Sequence, residues 1–127
     1  QFIMIRDGTA AHNLEALVDL LRQPYYDRCM FCTDDKHPSD LLEKGHIDYL
    51  IRKAIHYGID PIVAVKTACH NPARYFALNN RGAIAPGYLA DFAIIDNFDD
   101  FNVETSRPRA SRITSSSART TRSMLPT

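Results

Sequence analysis

Nowhere in these 127 residues does an apolar run approach the roughly 20 needed to cross a bilayer, so a membrane-spanning helix is excluded. Cysteine is scarce: Cys29, Cys32 and Cys69 are an odd number without framework spacing, which excludes a disulfide scaffold. Thiols of this kind suit a reduced intracellular setting, and the cytoplasm is the expected compartment. Charge of either sign is not in excess, with 15 Lys and Arg against 15 Asp and Glu. Neither nucleic acid nor an anionic membrane is therefore an expected partner. No internal repeat is visible.

What is present divides in two. Residues 1–102 carry ten Lys and Arg and fourteen Asp and Glu, with aliphatic periodicity throughout. Residues 103–127 carry five Arg and one Glu and are rich in Ser and Thr. That composition reads as a disordered basic tail, or as a stretch in which the reading frame is lost. The first residue is Gln1, not Met, and Phe2–Ile5 already reads as the interior of a strand, so the chain is expected to be a piece of a longer protein.

Phe2–Ile5 and Arg28–Cys32 are short apolar runs bounded by polar residues, as buried strands are. Between them Leu14, Leu17, Val18 and Leu21 form a helical stripe, and Thr9 is placed to cap it. Strand, helix, strand at this spacing is a βαβ unit and favours a parallel sheet. Ser39 or Asp40 is expected to cap a short helical turn ending near Glu43. A helix carrying Ile47, Leu50, Ile51, Ala54 and Ile55 should stop at Gly58. Asp60-Pro61 then reads as an N-cap with proline in the first helical position, Asn71-Pro72 as another start, and 91–96 as a last strand. Cys29-Met30-Phe31-Cys32 has CxxC spacing, but it lies along a strand, whereas a redox motif opens a helix; apolar packing is its expected role.

Chemistry concentrates in Thr33-Asp34-Asp35-Lys36-His37-Pro38, directly after the second strand. Adjacent carboxylates beside a core are costly unless a cation or a proton is shared between them. In barrel enzymes the end of a strand is also where reacting side chains sit. The alternative for either aspartate is a cap on the next turn.

This segment, with Ile5-Arg6-Asp7-Gly8-Thr9-Ala10, Gly45-His46-Ile47-Asp48, Asn71-Pro72-Ala73-Arg74 and Arg81-Gly82-Ala83-Ile84, resembles the C-terminal part of the adenine deaminases of the amidohydrolase superfamily. The likeness covers about residues 2–102. It implies an α/β fold: the last strands and helices of a metal-dependent (β/α)8 barrel hydrolase over 1–80, a return into a small β-domain over 81–102, and the tail over 103–127. It implies hydrolytic deamination of adenine, with a divalent metal, manganese first and iron or zinc as alternatives, in a homo-oligomeric parent enzyme. By the same resemblance Asp34 is the catalytic, metal-associated carboxylate. Asp35 and Arg6 contact substrate, or Arg6 pairs with Asp35, and Lys36 and His37 support the site from behind. His12, His56 and His70 are expected on helices without convergent partners, and His46 in a capping or packing role. None of the five histidines forms the His-x-His pair of the superfamily, so the chain alone is expected to be inactive. Two alternatives are an amidohydrolase for another cyclic amidine or amide, and a truncated, non-catalytic product.

Overall fold

A computed structural model of the chain describes residues 1–22 and 24–107. The expected unit at its centre is present. Strand β1 (Ile3–Arg6) and strand β2 (Cys29–Cys32) pair in parallel, Ile3 opposite Cys29 and Arg6 opposite Cys32. Between them lies helix α1 (Leu14–Leu17), which tightens into 3-10 turns over Val18–Leu21 and Tyr25–Arg28.

Helix α1 starts where its stripe starts but later than a cap at Thr9 suggests, because Asn13 stands at its N-cap. Asn13 is committed backwards: its N–H donates to the Arg6 carbonyl and its Oδ1 accepts the Arg6 N–H. Residues 8–13 are thereby a loop at the end of β1. Thr9 is freed for a distant partner.

Helix α2 (Pro38–Glu43) has His37 at its N-cap, so Ser39 and Asp40 lie inside it and cap nothing. Helix α3 (Ile47–His56) places Leu50, Ile51 and Ala54 in the core. It ends through Gly58, whose φ of +80° is open to glycine at little cost. Asp60 caps helix α4 (Pro61–Ala68), its Oδ1 accepting from the N–H groups of Ile62 and Val63, as the sequence suggests. Helix α5 (His70–Tyr75) follows immediately.

Strand β3 (Phe92–Ile95) pairs antiparallel with strand β4 (Val103–Arg107). The first residues of the expected tail, Val103 to Arg107, thus form a strand laddered onto β3. Residues 108–127, the rest of that expected tail, lie outside the described residues.

One core joins these parts. Ile5, Leu14, Leu50 and Ala64 are fully buried, with Leu21, Phe31, Ile51 and Phe101 nearly so. Each large aliphatic removed from water in this way stabilises the fold by about 2 kcal/mol. Asn71 sits among them, and its Nδ2 donates to the carbonyls of Tyr26 and Cys29, pinning α5 to the start of β2. Among the described residues no helix is long and apolar enough to cross a membrane.

Candidate active site

The C-terminal ends of β1 and β2 lie side by side, which brings Arg6 and Asp7 against Cys32, Thr33 and Asp34. Asp34 has φ +52°, a left-handed backbone uncommon outside glycine that aspartate tolerates better than most residues. Its Oδ2 accepts from Arg6 Nη1 at 3.1 Å. The expected pairing of Arg6 with Asp35 is thus replaced by a pairing with Asp34. The adjacent position of the strand ends sets that choice.

Asp35 turns the other way. Its carboxylate accepts the N–H of Ala10 at 3.1 Å and that of Ala11 at 3.4 Å, which hold it below the usual aspartate range although burial opposes them. Gly8 makes room for it. A β-carbon there would fall 1.8 Å from Asp35 Oδ1 and 2.8 Å from the Thr33 carbonyl. The two neighbouring carboxylates thus avoid each other, one taking a guanidinium and the other a pair of backbone amides.

Lys36 lies with its Nζ 4.3 Å from the centre of the Tyr49 ring, buried and without a hydrogen bond. Burial pushes its ammonium below the ordinary lysine range, against the attraction of Asp7. His37 is exposed and joins the cluster through its backbone: its N–H donates to Thr9 Oγ1 at 2.8 Å, and the Thr9 hydroxyl donates to Asp40. Thr9, read as a helix cap, is in fact a cross-link between the 8–13 loop and α2.

Four further groups, Asp7, Lys53, His12 and His46, reach the site, where the sequence did not place them. Asp7 is 1% exposed and bonded by Lys53 Nζ at 2.7 Å and His12 Nδ1 at 2.6 Å. His12 therefore stands in a loop with a carboxylate partner, not on a helix without one. His46 Nε2 lies 3.2 Å from Thr33 Oγ1, next to Asp34. A faint signal existed for Lys53 alone: a lysine between Leu50 and Ala54 edges the apolar stripe of α3.

The amidohydrolase family model matches residues 5–121. The chain belongs to the amidohydrolase family. Among curated proteins this amidohydrolase is 54% identical over 101 residues to an adenine deaminase of Kosmotoga olearia, covering 80% of the chain and 18% of that protein. It is 50% identical over 102 residues to an adenine deaminase of Thermosipho africanus, with the same coverages, and 48% identical over 101 residues to one of Methanothrix thermoacetophila. The chain thus spans less than one fifth of the length of the curated relatives it matches.

Membership of the amidohydrolases implies a divalent metal ion. Asp34 fits such an ion as one hard oxygen donor, half exposed at the end of β2. Among the described residues no group of three or more His, Cys, Asp or Glu could hold a metal.

Proposed function

We propose that the whole amidohydrolase containing this sequence converts adenine and water to hypoxanthine and ammonia. The observation that carries the reading is the identity of about one half, over four fifths of the chain, to proteins named adenine deaminase. The strand-end geometry supports it. A divalent ion bound beside Asp34, manganese in our reading, would acidify a water molecule for the attack.

Asp34 is the proton carrier in this scheme. Arg6 occupies its Oδ2, which leaves Oδ1 to take a proton from the attacking water. The same oxygen returns the proton to the amino group as the carbon–nitrogen bond breaks. Asp35 has acceptor capacity beyond its two backbone N–H bonds and can face a ring N–H of the purine. Lys36 and His37 hold the segment, the lysine against Tyr49 and the histidine through Thr9. The whole enzyme is then a (β/α)8 barrel with a small β-domain, homo-oligomeric and cytoplasmic, acting on a small molecule.

A transplant tests this. Residues 2–102 replace the matching segment of the Kosmotoga olearia adenine deaminase, and ammonia release from adenine is measured with manganese present. The chimera should turn over, Asp34→Asn in it should lose about 100-fold or more in kcat, and the 127-residue chain alone should release none. A folded, metal-loaded chimera without turnover, or turnover by the chain alone, overturns the reading.

A further inference from the structure

The left-handed backbone of Asp34 is strained enough to need support from its surroundings. The mould is the 8–13 loop. Its tip donates Ala10 and Ala11 N–H to Asp35, the residue after Asp34, and Thr9 engages His37 and Asp40 farther along the same segment. The loop is itself held at its base. Gly8 N–H bonds the Ala11 carbonyl at 3.0 Å, Asn13 exchanges bonds with Arg6, and Asp7 bridges to His12. Asp7 connects this base to the helical layer. Its two oxygens divide between His12 of the loop and Lys53 of α3, 46 residues away.

A carboxylate this buried is costly unless both its charge and its hydrogen-bonding capacity are met, and Lys53 and His12 meet them. The hydrogen bond that reaches the Asp34 carboxylate comes from Arg6, not from His12 or Lys53.

We propose that Asp7, paired with Lys53, is a positioning residue. It anchors the 8–13 loop to α3, and the loop sets the backbone of Thr33–Pro38 so that Asp34 projects from the end of β2. This rests on the reading of Asp34 as the reacting carboxylate.

Amide exchange and NOE spectra of the 127-residue chain test it, without substrate or metal. Asp7→Asn leaves the Lys53 ammonium without its partner. Asp7→Asn with Lys53→Met replaces the pair by neutral groups of similar shape, and the measurement is read in whichever variant stays folded. The expected result is a melting midpoint close to the parent's, amide exchange at Ala10 and Ala11 faster by at least tenfold, and loss of the strong intraresidue HN–Hα NOE that marks positive φ at Asp34. Exchange within twofold of the parent, or a retained NOE, overturns the proposal. So does unfolding of both variants, since the pair would then be holding up the fold and not aiming the loop. Failure here leaves the deaminase reading intact, and failure of the chimera leaves this exchange result intact.

Discussion

Replacing Asn71 should destabilise this chain more than its polar chemistry suggests, and the side chain's two bonds say by how much. Asn71 is fully buried and gives both Nδ2 hydrogens away, to the Cys29 carbonyl in the interior and to the Tyr26 carbonyl in a half-buried place. Asn71→Ala removes two hydrogen bonds of about 1 kcal/mol each and strands the Cys29 carbonyl for about 1 kcal/mol more, so roughly 3 kcal/mol in all. In urea, with a slope of about 2 kcal/mol/M, the unfolding midpoint should fall by about 1.5 M. Asn71→Asp keeps the shape and removes the donors, setting a carboxylate against two carbonyl oxygens. It should cost more than the alanine at neutral pH. Burial raises the introduced carboxyl's folded pKa above its unfolded value, so its deficit should shrink in acid and widen as pH rises through about 4. Urea titrations at pH 4 and pH 7 decide the matter. If both variants stay within about 0.5 kcal/mol of the parent, Asn71 is not the pin between α5 and β2.

Gly8→Ala should cost about 1–3 kcal/mol in urea titration, because the new carbon meets both Asp35 and the Thr33 carbonyl; an unchanged midpoint would show that the loop yields freely. Arg6→Gln should cost less than about 1 kcal/mol, since both partners of its pair are well exposed, at 47% and 38% of the side chain. A loss above about 2 kcal/mol in low salt would show a structural pair instead. Asp35, Asp40 and Asp96 are all held below the usual aspartate range, Asp35 by the Ala10 amide, Asp40 by the Thr9 hydroxyl and Asp96 by the Asn102 side chain. Their contribution is present above the unfolded value and lost as pH falls through about 3.9 and below. The melting temperature should drop on that limb, more gently in Asp35→Asn, and equal slopes would count against the Asp35 clamp.

The elements were legible where local periodicity decides them. The stripe from Ile47 to Ile55 gave α3, Asp60-Pro61 gave the start of α4, and two short apolar runs gave a parallel pair. The start of α1 was not legible, because Asn13 answers to Arg6 across the loop and no propensity encodes that contact. Asp34 could be singled out from its place after an apolar strand. Its partner could not, nor could those of Asp35: the bonds run over 24 to 28 residues and depend on which strand ends meet. Asp7 escaped notice for the same reason, since a single carboxylate at a strand end looks solvated until α3 brings Lys53 to it.

The long reach of the Lys53–Asp7 bond also orders events during folding. Helices α3 and α4 complete most of their bonds within a few residues, and these can form early at little chain-entropy cost. The bond from Lys53 must close a span of 46 residues and the Asn71 anchor one of 42 before either is rewarded. The strand-end cluster should therefore form after the helices, and Asp7→Asn should quicken unfolding while leaving the folding rate nearly unchanged.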